Sequence, residues 1–294
     1  MIVAVASGKG GTGKTTVSAA LASVWPKPPV AVDLDVEEPN LHLFLRPQIS
    51  GEETAGMQIP ELIKDRCTYC RACSELCQFK AIAVMGEVAL TFPEMCHGCG
   101  GCFLVCPEEA LRPVNRELGT VSWGSAGPIA FLMGRLRVGE AMSPPLMRAV
   151  KRKLGELNPG GAKDVIIDAP PGVSCPAVNA VMDSDMIVLV TEPTPFGLYD
   201  LGLAREAFAE MGKPMGVVVN RAGVGDRSIY DYCRDHQLAI LAEIPYRREI
   251  AEAYSKGQVI SETDGAYRTL FRDLARQIQT MKTTPEKEAE AVHD

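Results

Sequence analysis

The segment SGKGGTGKTT, residues 7 to 16, constrains the fold more than any other part of the chain. Gly8, Gly13, Lys14 and Thr15 satisfy G-x4-G-K-[ST], and such a loop works only between a buried strand and a helix. Its glycines, Gly8, Gly10, Gly11 and Gly13, let the backbone wrap a phosphate. The amides of Thr12 and Thr16 and the helix N-terminus then point inward, Lys14 supplies charge, and Thr15 can bind Mg2+. The flanks comply: Ile2 to Ala6 is an all-apolar run, and a helix is predicted from Thr15 to Val24. Lys9, a second lysine early in the loop, makes the variant form K-G-G-x-G-K-T-T.

The same rhythm continues downstream. Buried strands are predicted at Val30 to Leu34, Asp164 to Asp168, Met186 to Val190, Met215 to Asn220 and Ala239 to Ile244. Helical patterns fall near Pro145 to Leu157, Leu198 to Met211, Ser228 to His236 and Ala266 to Met281, the last with Leu270, Leu274 and Ile278 on one face. Short apolar strands alternating with amphipathic helices predict an α/β fold with a doubly wound, mostly parallel sheet. From Gly51 to Pro113 the rhythm stops and Cys, Gly and Pro take over. The predicted organisation is therefore a discontinuous nucleotide domain, 1–50 and 114–282, around an inserted small α+β module, 51–113. Residues 283–294, polar and acidic, are expected to be a disordered tail.

Within the insert, four cysteines recur at one spacing: Cys67, Cys70, Cys73, Cys77, then Cys96, Cys99, Cys102, Cys106, with Pro107 behind the second set and Gln78 behind the first. C-x2-C-x2-C-x3-C in duplicate is the ligand pattern of two-cluster bacterial ferredoxins, whose thiolates hold [4Fe-4S] clusters. Zinc is the alternative, but zinc draws on two separated C-x-x-C pairs rather than three cysteines in one tight run. A hairpin of Ala81 to Val84 and Val88 to Thr91 is predicted between the motifs. By the ferredoxin resemblance, the fourth cysteine of each motif serves the other cluster. Cys67, Cys70, Cys73 and Cys106 would hold one cluster, and Cys96, Cys99, Cys102 and Cys77 the second. Of the two remaining cysteines, Cys233 reads as packing, whereas Cys175 borders the segment after Asp168.

Composition removes several function classes. Thirty Lys and Arg against 37 Asp and Glu leave a net charge of −7, which argues against a nucleic-acid partner. No apolar stretch reaches the roughly 20 residues of a membrane span, so no stable membrane insertion is expected. The first strand-like run follows directly on Met1, so no secretory signal is expected, and eight of ten cysteines sit at metal spacing rather than in a disulfide framework. Reducing cytoplasm is the expected compartment.

Beyond the insert the chain resembles the MinD/ParA/Mrp and nitrogenase iron protein superfamily of dimeric ATPases. That resemblance implies bound ATP or ADP with Mg2+ and a homodimer formed on ATP binding, with Lys9 reaching the partner subunit's phosphates. It makes Asp35 the carboxylate that positions the attacking water, with Asp33 beside it and Asn40 facing the dimer contact. Asp168, followed by Ala169-Pro170-Pro171-Gly172, becomes the Mg2+ carboxylate, while Asn220 and Pro245 border the adenine. Each Asp could instead cap a turn, and Asn220 could form one. Three functions compete: an ATPase coupled to electron transfer toward a redox or iron–sulfur partner protein, a MinD-like positioning regulator, and an Mrp-like cluster carrier. The acidic C-terminus does not supply the membrane-targeting helix of MinD, and no cysteine follows Cys233 to supply the carrier's bridging pair.

Overall fold

The computed structural model of the chain describes residues 1–282. The expected tail, 283–294, lies outside them. The strands are β1 (Ile2–Ala6), β2 (Val30–Asp33), β3 (Gln48–Leu62), β4 (Ile82–Met85), β5 (Val88–Thr91), β6 (Leu111–Ala126), β7 (Ile129–Leu136), β8 (Val165–Asp168), β9 (Met186–Thr191), β10 (Met215–Ala222) and β11 (Ala239–Pro245). Nine of them form one sheet in the order β11-β10-β9-β1-β8-β2-β7-β6-β3, parallel from β11 through β7 and antiparallel at the β6 and β3 edge. The mostly parallel α/β sheet expected from the apolar rhythm is present.

Both faces of this sheet are covered, which is why its central strands are apolar at every position rather than alternately. Successive side chains point to opposite faces. Val3 and Val5 join the core made by the helices Lys14–Val24 and Gly265–Lys282, where Leu21, Phe271, Leu274 and Ile278 are fully buried. Ala4 and Ala6 join the opposite core with Leu146, Leu201 and Phe208 from the helices Ser143–Leu157 and Pro195–Ala209. Each such large side chain contributes about 1.5–3 kcal/mol by leaving water.

The cysteine-rich segment is mounted on strands that its composition conceals. β3 and β6 pair along almost their whole lengths, Gln48 opposite Ser125 to Leu62 opposite Leu111. The inner half of β6, from Gly119, also pairs with β7, so the outer half projects from the sheet as a two-stranded ribbon. Ala55 pairs with Gly119 and Gly56 with Glu117, leaving the buried Leu118 as a bulge where the ribbon departs. Residues 63–110 sit between the ribbon's outer ends, closed by Ile63 N–H donating to the Ala110 carbonyl at 2.8 Å. The expected hairpin is there as β4 and β5. Two short helices, Ala72–Leu76 and Gly101–Leu104, each carry the third cysteine of a motif, and the residue before each, Arg71 and Gly100, is left-handed. The sequence duplication is thus a duplication of backbone conformation.

Candidate functional site

The C-terminal ends of β1, β2, β8, β9 and β10 converge on one side of the sheet, where ligands bind in open α/β folds. A cleft of about 620 Å3 opens there, and Gly10, Gly11, Gly13, Lys14, Thr15, Thr16, Asp35, Asn40, Asn220 and Pro245 all line it. Two glycines are dictated by contact. A Cβ on Gly8 would lie 2.0 Å from the Asp200 carbonyl oxygen, and Gly13, at φ 98°, would place one 2.4 Å from the Asn220 amide nitrogen. Thr12 lies beneath the loop: its carbonyl accepts from Asn220 Nδ2 at 2.7 Å, and its buried hydroxyl has no protein partner. Asn220 therefore braces the loop, and its Oδ1 also accepts from Arg221 N–H at 2.9 Å.

Two carboxylates, Asp168 and Asp35, act on the single cation Lys14, and a third, Asp33, lies beside them. Asp168 is buried and accepts from Thr15 Oγ1 at 2.7 Å and Ser18 Oγ at 3.0 Å. Asp33, also buried, accepts the N–H groups of Asp35 and Leu41 at 3.1 and 2.9 Å, so it anchors both ends of the loop that carries Asp35. Burial, and then the neighbouring Asp168 charge, pushes Asp33 well above the usual carboxylate range and Asp35 from 3.8 to about 6. Lys14 is 7% exposed, and desolvation lowers its pKa against the attraction of Asp168 and Asp35. Too much negative charge for one lysine is what a divalent cation beside Thr15 and Asp168 would relieve.

The raised Asp35 has a measurable consequence. Its folded-state pKa exceeds its unfolded one, so the folded chain binds this proton more tightly; stability from this group is fullest below pH 4 and declines toward pH 6. Without nucleotide and Mg2+, the wild-type denaturation midpoint is expected to fall relative to that of Asp35→Asn between pH 4 and 6 and to run parallel above that window. A constant difference across it would contradict the buried, unneutralised Asp35.

Lys9 is drawn away from the cleft. Its Nζ pairs with Glu192 Oε1 at 2.5 Å, and Arg221 Nη1 takes the other oxygen of the same, nearly buried carboxylate at 2.8 Å. Glu192 and Arg221 were not singled out in the sequence; neither were Ser18 or the cleft residues Glu38, Arg247 and Tyr254. The signals were weak but present: a glutamate directly after an apolar strand, and a serine one turn beyond Thr15.

The eight motif cysteines surround two separate cavities. Cys67, Cys70, Cys73 and Cys106 line one, between Leu62 and Leu111 at the ribbon's end. Cys77, Cys96, Cys99 and Cys102 line a second, of about 410 Å3, beside Gln58 and Pro60. Cys73 borders the second cavity as well. Each motif thus sends its last cysteine to the other's cavity. Backbone N–H groups already face sulfur: Ala81 to Cys77 at 3.3 Å and, at the matching position, Ala110 to Cys106 at 3.2 Å. Burial first, then the neighbouring Cys96 and Cys99, push the Cys102 thiol up to about 11. Ionised together, thiolates this crowded would need a cationic partner, and the donor set fits iron–sulfur ligation. Cys233 is buried in the core, whereas Cys175 is exposed at the start of the helix Cys175–Val181.

The description "CobQ/CobB/MinD/ParA nucleotide binding domain" matches residues 3–260. The chain belongs to this family. By that membership it carries a nucleotide-binding domain of the MinD/ParA type. It is similar to an uncharacterised protein of Methanocaldococcus jannaschii, 32% identical over 83% of this chain and 86% of that one. Over 55 residues, 17% of this chain, it is 34% identical to 89% of Ferredoxin-1 of Chlorobaculum tepidum. The septum site-determining protein MinD of Pyrococcus horikoshii, solved with Mg-ADP, shares the fold at 22% identity with a TM-score of 0.56, covering 96% of this chain and 97% of that one. Among the described residues, no helix of this family member is long and apolar enough to cross a membrane.

Proposed function

We propose that the chain is a dimeric, cytoplasmic ATP-binding and ATP-hydrolysing iron–sulfur protein in which the nucleotide state is coupled to electron transfer through two [4Fe-4S] clusters to a redox partner. The observation that carries this reading is one continuous path. The loop holding Asp35 and Asn40 runs through the short helix Leu41–Leu45 directly into β3, the strand that carries the cysteine module. In this reading the Gly8–Thr16 loop and Lys14 hold the phosphates, Thr15 and Asp168 hold Mg2+, Asp35 orients water, and Asn220 and Pro245 border the base. Lys9 leaves Glu192 to meet the partner subunit's nucleotide, and Asn40 meets the dimer contact. Bound iron–sulfur clusters supply one-electron transfer; the cysteines and the N–H groups facing them set burial and hydrogen bonding around sulfur.

Anaerobic redox titration with and without Mg2+ and a non-hydrolysable ATP analogue tests the coupling. Nucleotide is expected to displace at least one of the two midpoint potentials. Superimposed curves would sink the proposal.

A further inference from the structure

The connector between β7 and the helix Ser143–Leu157 touches the nucleotide loop at one end and the second cysteine loop at the other. On the nucleotide side, Leu136 N–H donates to the Val36 carbonyl at 2.8 Å, and the buried Ser143 donates through Oγ to Glu37 Oε1 at 3.0 Å. Val36 and Glu37 lie between Asp35 and Glu38, both of which line the cleft. On the cluster side, the side chain of Glu140 is 1% exposed. One of its oxygens accepts the N–H groups of Ala141 and Met142 at 3.0 and 2.9 Å, and the other meets Arg116 Nη2 at 2.5 Å.

Arg116 stands on the projecting half of β6 and donates to the carbonyl of Pro93, which caps the turn leading into Cys96. Cys96 itself packs with Leu136 and Met142 against Met57, Ile59 and Leu118. Surface ion pairs transmit little. This one is different, because both partners are buried and Glu140 also ties down its own connector backbone, so the pieces must shift together or break costly contacts. The buried Nε of Arg116 has no partner, leaving the guanidinium a donor free to re-pair when the connector moves.

We infer that the connector, residues 137–142, locked by the Glu140–Arg116 pair, carries the state of the nucleotide loop to the second cysteine loop, with Ser143 and Arg116 as its positioning residues. This rests on the coupling proposed above and names its route. Thermodynamic coupling of this kind requires an element with two arrangements that both sites bias.

Hydrogen–deuterium exchange on the intact, cluster-loaded protein tests it, with Mg2+ and a non-hydrolysable ATP analogue present or absent, read on peptides covering 93–98 and 111–118. Nucleotide is expected to slow exchange there by about fivefold or more. In Ser143→Ala and Glu37→Ala the ratio is expected to drop below about twofold, with analogue affinity and iron content retained, and the double variant to lose no more than either single one. An unresponsive 93–98 segment in the wild type, or a full response in Ser143→Ala, would overturn the route. Slowed exchange at 93–98 without any nucleotide-dependent potential shift would leave the route standing and remove the coupling to electron transfer instead.

Discussion

A Cys106→Ala chain is expected to lose about half its iron and to keep the same cluster that a Cys67→Ala chain keeps. The reason is the partition of the two cavities: Cys106 faces Cys67, Cys70 and Cys73 although it stands in the second motif, and Cys77 faces Cys96, Cys99 and Cys102 although it stands in the first. Reduced Cys106→Ala and Cys67→Ala should give matching spin-resonance spectra and midpoint potentials. Cys77→Ala should match Cys96→Ala instead. If Cys106→Ala resembled Cys96→Ala, each motif would be closing on itself and the crossing would be wrong. The loss should also loosen the module. Its apolar support is small, a satellite cluster around Met57, Ile59 and Leu118 and a few buried side chains such as Ile82 and Val84, so a bound metal would contribute much of its folding energy. The nucleotide cleft shares no residue with either cavity, and ATP affinity should change by less than about threefold, as for distant sites.

The parts of this molecule with local signatures were legible in the sequence. The phosphate loop, Asp168 at a strand end and the cysteine spacing each need particular residue types within a few positions, so chemistry and local structure coincide. The ribbon was not legible. β3 contains Gly51, Gly56 and Pro60 among charged residues and pairs with a partner more than forty residues on, so its stability comes from cross-strand contacts that a local window does not contain. The strands therefore looked like part of a loop-rich insert, although they extend the main sheet. Glu192 was missed for a related reason: its importance lies in Lys9 and Arg221, one far upstream and one downstream. Asp33, left open between a catalytic and a turn role, proves to hold the backbone of the Asp35 loop through two N–H groups.

The two lysines of the phosphate loop are expected to fail differently, which separates nucleotide binding from assembly. Lys14→Ala removes the one buried cation among Asp33, Asp35 and Asp168 and should weaken ATP binding by about two to three orders of magnitude, the scale for deleting one partner of a buried charge pair. Mg2+ should rescue it only in part, since a metal held by Thr15 and Asp168 would not replace the side-chain cation at the position of Lys14. Lys9→Ala should leave ATP affinity within about threefold, because Lys9 is engaged with Glu192 rather than with the cleft. What it should lose is the ATP-induced dimer, measured by sedimentation with the non-hydrolysable analogue. Glu192→Gln supplies the counter-test. Weakening the hold on Lys9 and Arg221 should favour the dimer at lower ATP, whereas a Lys9→Ala chain that still dimerises would show that Lys9 serves only its own subunit.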